Sequence, residues 1–255
     1  MIRINEIFKS IDGEGIRTGQ PTIFIRFAGC NLRCDYCDTD YALKASQYDD
    51  RYTDIANVMC DVLQYCIPDN INNITITGGE PLLQKESIIS ILDTLSSFNH
   101  FMFSVNIETN GSINPNEFIE LYNKSEFCKN PENSLFFTFD LKTSSAGEDA
   151  KNACCDDSNL PKFWNHKIVN NSKSCSTIIK SVVGSIEDLE YVRTMYNKSE
   201  NIYHTGKYIW YVSPVFDKIE PCQIVEYVLK YPECNSWIVQ VQLHKIIWDK
   251  NKRGV

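Results

Sequence analysis

Three cysteines crowd into eight residues, Cys30-Asn31-Leu32-Arg33-Cys34-Asp35-Tyr36-Cys37. Soft thiolates at this spacing suit zinc, copper(I) or an iron–sulfur cluster. A structural zinc site is normally closed by four ligands in two pairs. No second pair with that spacing follows; Cys60 and Cys66 fall on an expected helix, and no histidine is near. Three thiolates on a 4Fe–4S cluster leave one iron free to take another ligand, and that is a chemical opportunity. A non-catalytic zinc-binding module and a redox-sensing thiol pair at Cys34–Cys37 remain the alternatives. The chain has 11 cysteines, an odd number. With no export signal, a disulfide framework is not expected, and the other eight read as scattered thiols.

Other chemistry-bearing residues sit where strands are expected to end. Ile74–Thr77 runs into Gly78-Gly79-Glu80-Pro81, which by itself is a strand-to-helix turn. Glu108-Thr109-Asn110-Gly111 ends the next strand, and Asp140-Leu141-Lys142 the one after it. Lys142 reads either as a partner for a ligand carboxylate or as a solvated strand-end charge. Arg26 lies inside an apolar strand, on the same face as Phe24 by alternation. A charge there is costly unless it is paired; the alternative is an edge-strand arginine facing water. His244, near a C-terminal strand, is by itself more often structural than functional.

The elements that must hold these residues alternate. The pattern of β-branched and aromatic residues predicts strands over Arg3–Phe8, Thr22–Phe27, Ile71–Thr77, Met102–Glu108, Leu135–Leu141, Ser176–Val183, Tyr208–Val212 and Trp237–Leu243. Helical spacing appears over Thr53–Cys66, Lys85–Phe98, Ser185–Tyr196 and Glu220–Leu229, with a capping-type start at Ser185 and Asp188. This alternation reads as α/β with a parallel sheet. A closed eight-unit barrel takes about 250 residues, and roughly six units are visible. The expectation is a partial, open parallel β/α barrel; a doubly wound sheet is the runner-up. One domain is expected over residues 1–255, with a polar, flexible insertion near residues 144–174. The composition is ordinary: 255 residues, 43% hydrophobic, 23% charged, net charge −8. That charge argues against broad nucleic-acid binding. No apolar run reaches the roughly 18 residues of a membrane span. The first residues, MIRINEIFKSIDGEG, lack a signal-peptide core, so a cytoplasmic protein is expected.

The cysteine spacing after a strand, with Tyr36 before the last cysteine, resembles the radical S-adenosylmethionine (SAM) superfamily. In that superfamily SAM chelates the open iron, and one electron from the cluster cleaves it to a 5′-deoxyadenosyl radical. Further motifs are more specific: Ile11-Asp12-Gly13-Glu14-Gly15, Gly19-Gln20-Pro21-Thr22, Ile25-Arg26-Phe27-Ala28-Gly29-Cys30, Cys37-Asp38-Thr39, TGGEP, ETNG, Ser213-Pro214 and Gln242-Leu243-His244-Lys245. Together they resemble the 7-carboxy-7-deazaguanine synthase family over nearly the whole chain. The family usually carries Gln where this chain has Asp12. The resemblance implies a 4Fe–4S cluster on Cys30, Cys34 and Cys37. It implies SAM contacts from Tyr36, Cys37, Asp38, Gly78, Gly79, Glu80, Glu108, Thr109, Asp140, Leu141, Lys142 and Ser213. Mg²⁺ is implied at Thr39. A pterin substrate is implied against Ile11, Asp12, Gly13, Glu14, Arg26, Thr77, His244 and the C-terminal carboxylate of Val255. The implied reaction is conversion of 6-carboxy-5,6,7,8-tetrahydropterin to 7-carboxy-7-deazaguanine with loss of ammonia, in queuosine biosynthesis. The implied partners are a flavodoxin or ferredoxin and a second copy of the chain. Activating enzymes for glycyl-radical proteins share the cysteine spacing and are the alternative within the superfamily.

Overall fold

The computed structural model describes residues 1–98, 100–156, 158, 160–164, 177–203, 208–249 and 252–255. Eight strands form one sheet in sequence order: β1 (Ile4–Ile11), β2 (Pro21–Phe27), β3 (Asn73–Gly78), β4 (Ser104–Thr109), β5 (Ser134–Asp140), β6 (Thr177–Val183), β7 (Tyr208–Pro214) and β8 (Ile238–Val239). Strands β2 to β8 are parallel. The helices between them are α1 (Ile55–Asp69), α2 (Lys85–Ser96), α3 (Asn116–Tyr122), α4 (Glu126–Lys129), α5 (Glu148–Ala153), α6 (Ile186–Tyr203) and α7 (Pro221–Lys230), and α8 (Leu243–Ile247) follows β8. Six strand–helix units therefore run from β2–α1 to β7–α7, and β1 and β8 are the two free edges of an open barrel.

Two elements depart from the sequence expectation. Strand β1 is antiparallel to β2 and belongs to no βαβ unit. Its connection, residues 12–20, is too short for the crossover helix that a parallel pair needs. The stretch expected as a strand over Trp237–Leu243 pairs at only two residues, and α8 begins at Leu243. His244 therefore sits on a helix.

Local chemistry explains the boundaries. Asp54 caps α1 by accepting the Ala56 N–H, and Asn70 ends it in the left-handed region at φ 52°. Ser185 Oγ accepts the Asp188 N–H, and Asp188 Oδ2 accepts the Gly184 N–H, as the sequence predicts for the start of α6. Glu220 and Gln223 make the same reciprocal arrangement on α7. The helices pack on the outside of the sheet, burying residues such as Ile88, Ile91, Leu92 and Ile224 against Ile25, Ile76, Ile107 and Val212.

The described part of the polar stretch, within residues 144–164, is anchored to the barrel. It contains a 3₁₀ turn (Ser144–Ala146) and α5, and it buries Phe163 and Trp164. Phe163 stacks on Phe139 with centroids 4.6 Å apart. Residues 157, 159 and 165–174 of that stretch lie outside the described residues.

Candidate active site

A cleft of about 790 Å³ opens where the C-terminal ends of the parallel strands meet the cysteine loop and the C-terminal tail. Mouth loops are where β/α barrels hold their sites. Cys30, Cys34 and Cys37 all line it, on a loop leaving β2. The loop is anchored by the Gly29 and Cys30 N–H groups, which donate to the carbonyls of Ala42 and Leu43. It also rests on the end of β3. A Cβ on Gly78 would stand 2.2 Å from the Phe27 carbonyl oxygen, and one on Gly79 would stand 2.2 Å from that of Gly29. Only glycine permits this backbone-on-backbone contact, so TGGEP fixes the height of the cysteine loop as well as shaping the cleft wall.

The donor set fits an iron–sulfur cluster. No three His, Cys, Asp or Glu side chains among the described residues converge on one ion. A cluster asks for something else, since each thiolate ligates a different iron. Burial pushes the Cys34 thiol up to about 11 and raises that of Cys37, so loading iron must release protons from them. Beside the thiols are two polar atoms that nothing among the described residues satisfies, the Tyr36 hydroxyl and Asp140 Oδ1. Both residues line the cleft, and unpaired buried polar atoms there fit a polar ligand. Lys142 is not a solvated charge. It is buried and paired with Asp140 at 2.7 Å, and its ammonium lies 5.3 Å from the Tyr36 ring centroid. Burial works against its charge, but Asp140 and Tyr36 outweigh it and hold its pKa well above the ordinary lysine value.

The expected substrate residues gather at the other side. Glu14 receives hydrogen bonds from Ser213 Oγ (2.8 Å), Lys180 Nζ (2.9 Å) and Gln242 Nε2 (3.3 Å). Burial alone would raise its pKa; the Lys180 charge and the three donors reverse that and keep it ionised below the usual glutamate value. Lys180 and Gln242 line the cleft; Lys180 has no local sequence signal, and Gln242 is marked only by the Gln242-Leu243-His244-Lys245 motif. Arg26 is no edge residue: β1 and β3 flank its strand. Its Nε donates to Glu6 at 2.8 Å, and its guanidinium lies over the Phe8 and Tyr41 rings. Its two terminal nitrogens donate to nothing among the described residues, so they are free for a ligand. Thr77 Oγ1 donates to Glu108 Oε2 at 3.0 Å, joining two expected contacts. His244 packs against Gly13, where a Cβ would stand 2.5 Å from its Nδ1. Burial lowers its pKa against the pull of Glu14 and Asp38. Arg253 stacks over Tyr41, 4.1 Å from the ring centroid, and Val255 lines the cleft.

Ile11, Gly13, Asp38, Thr39 and Thr109 also reach the cleft. Asp12 borders it, but its carboxylate is spent internally on Arg17 (2.8 Å), Thr22 (3.0 Å) and Thr75 (3.1 Å). Glu80, Leu141 and Ser213 lie behind the cleft wall as side chains, not on it. Glu80 is fully buried and accepts from Thr109 Oγ1 and the Asn110 and Leu82 N–H groups. Leu141 belongs to the apolar core, and Ser213 is turned to Glu14. Asp38 pairs with Lys245 at 3.0 Å, and its hydroxyl neighbour Thr39 donates to it. Burial raises its pKa, but Lys245 and His244 bring it down to about 2. Its depressed pKa means the pair is present at neutral pH and is lost as pH falls toward about 2. A carboxyl-carbon NMR titration of Asp38 should show its midpoint there; a midpoint near 4 would mean that Lys245 does not hold it.

A barrel of six strand–helix units, with a three-thiol loop seated on a glycine pair at its mouth, defines a radical SAM enzyme carrying a 4Fe–4S cluster. Residues 11–128 match the family model described as "4Fe-4S single cluster domain". The chain is 38% identical to 7-carboxy-7-deazaguanine synthase of Clostridium acetobutylicum over 99% of both chains. It is 32% identical to that of Methanospirillum hungatei, covering 96% of this chain and 85% of the relative. The crystal structure of QueE from Escherichia coli superposes with a TM-score of 0.59 at 20% identity, covering 94% of this chain and 93% of that one; this is a likeness of fold. The chain belongs to the 7-carboxy-7-deazaguanine synthase family.

Proposed function

We propose that the chain converts 6-carboxy-5,6,7,8-tetrahydropterin to 7-carboxy-7-deazaguanine with release of ammonia, in queuosine biosynthesis. One observation carries this reading: a fixed carboxylate, Glu14, and a fixed guanidinium with free donors, Arg26, share one cleft with the three thiols. A carboxypterin presents the complementary pair, a guanidine-like edge and a carboxylate. Glu14 accepts from the edge, and Arg26, oriented by Glu6, donates to the carboxylate. The cluster and SAM, when bound, supply hydrogen-atom abstraction. The protein holds the pterin in register for it and keeps Glu14 ionised through Lys180. Thr39 offers a hydroxyl oxygen for Mg²⁺, with substrate and water oxygens completing the shell of this hard ion. A flavodoxin or ferredoxin delivers the electron, two copies of the chain pair, and the site of action is the cytoplasm.

Anaerobically reconstituted protein, given SAM, Mg²⁺, dithionite and the carboxypterin, is expected to yield 7-carboxy-7-deazaguanine, read by mass. SAM cleavage without that product would overturn the substrate assignment. Thr39→Val is expected to remove most of the stimulation by Mg²⁺; an unchanged Mg²⁺ dependence would remove Thr39 from the ion's shell.

A further inference from the structure

Asn110, just past β4, is locked on every side. Its N–H donates to Glu80 Oε2 at 2.7 Å, and its carbonyl accepts from the Cys154 thiol at 3.1 Å. Its side-chain Oδ1 accepts from both the N–H (2.9 Å) and the hydroxyl (2.6 Å) of Ser112. With the oxygen so occupied, the amide has one orientation. Nδ2 faces the cysteine loop, 3.5 Å from Cys30 Sγ and 3.2 Å from Asn31 Oδ1. Asn31 closes the ring by donating to Ser112 Oγ at 2.8 Å. The Leu32 N–H points at the same Cys30 sulfur from 3.4 Å. Cys30, partly buried, packs against a small apolar cluster of Leu32, Ala146, Ala150 and Cys154.

We infer that Asn110 is a positioning residue that sets the reduction potential of the iron–sulfur cluster through its N–H donation to Cys30 Sγ. Reduction adds one electron to the cluster and therefore negative charge to its thiolate ligands. A donor aimed at a ligand sulfur stabilises the reduced form more than the oxidised form and raises the potential. Ser112 acts at one remove, because it holds the amide the right way round. The inference concerns the cluster alone and stands whatever the substrate is.

The test is a mediated potentiometric titration of the reconstituted full chain with dithionite, followed by visible absorbance and electron paramagnetic resonance. Iron and sulfide are counted first. Asn110→Leu is expected to make reduction about tenfold less favourable, which for one electron is a potential lower by 59 mV. Ser112→Ala removes one of the two donors that hold Asn110 Oδ1 and leaves the backbone N–H, so it is expected to shift the potential in the same direction by less. An Asn110→Leu protein with full cluster content and the wild-type potential would overturn the inference. If Asn110→Leu fails to hold its iron, Asn110→Ala, which removes the same donor without the added bulk, decides: a lowered potential supports the inference, and a wild-type potential at full loading overturns it.

Discussion

Replacing Arg17 with alanine is expected to cost the fold about 3–5 kcal/mol. The side chain is almost fully buried, inside the barrel near the N-terminal ends of β3 and β4. Its Nε binds Asp12 at 2.8 Å; its terminal nitrogens donate to the Ser104 carbonyl (2.8 Å), the Ile74 carbonyl (3.2 Å) and Thr75 Oγ1 (2.6 Å). The guanidinium also lies 5.2 Å from the Phe136 ring centroid. Truncation strands the Asp12 carboxylate in the interior and removes the donors to the Ser104 and Ile74 carbonyls and the Thr75 hydroxyl. In a domain of this size the melting temperature should fall by on the order of 10 °C. The deficit should depend on pH with a definite sign. Burial already raises the Asp12 pKa above its ordinary 3.8, and Arg17 opposes that rise. Without Arg17 the folded state holds the Asp12 proton while the unfolded state releases it above about pH 4. Stability of the variant therefore falls as pH rises through that window. A deficit below about 1 kcal/mol, or one that shrinks with rising pH, would mean that the pair is screened.

Glu14→Gln is expected to lower kcat/KM for the carboxypterin by roughly 30- to 150-fold, the equivalent of about 2–3 kcal/mol for lost charge-assisted hydrogen bonds. The amide keeps the shape of the carboxylate. It loses the charge that Lys180 neutralises, and it offers one acceptor oxygen instead of two. Lys180 is left buried with Glu108 and Asp140 as its remaining acidic neighbours and no direct carboxylate partner, so the cation is partly uncompensated. The loss should appear mainly in KM, because recognition of the guanidine-like edge is made in the ground state as well as the transition state. Cluster content, set by the cysteine loop, is expected to match the wild type. Steady-state kinetics under saturating SAM separate the two parameters. A wild-type KM would remove Glu14 from substrate recognition.

What the residues disclose in advance follows from how local each signal is. The cysteine triplet, TGGEP and ETNG are contiguous, and each sits at a strand end, so alternation alone carries them to one mouth. The Ser185–Asp188 cap is also contiguous and is legible for that reason. Glu14 is legible only through the resemblance of its loop, and its pairing with Lys180 and Gln242 is not legible at all. Lys180 lies 166 residues away and Gln242 lies 228 residues away, and only the curvature of the sheet brings them together. Arg17 reads as an ordinary loop residue next to Thr18 and Gly19; nothing in its neighbourhood announces that Thr75 and Ser104 await it. The antiparallel β1 misleads for the opposite reason. Its local pattern is a good strand, and direction is a property of the pairing, which has no residue-level signature. Helix α8 shows the same limit, since a half-exposed segment of five residues carries too little periodicity to tell helix from strand.

The two free edges of the sheet are not left facing water alone. Residues 12–20, which connect β1 to β2, lie between them: the Gly15 N–H donates to Gln240 Oε1 at 2.9 Å, the Leu243 N–H donates to the Gly13 carbonyl at 3.2 Å, and Glu14 meets Gln242. Elsewhere around the barrel neighbouring strands are zipped by ladders; here the closure is a short seam of single stitches. A seam of that kind yields before the ladders do. The stitch that yields also carries Glu14, so opening the wall there and releasing the carboxylate proposed to hold the pterin become one event.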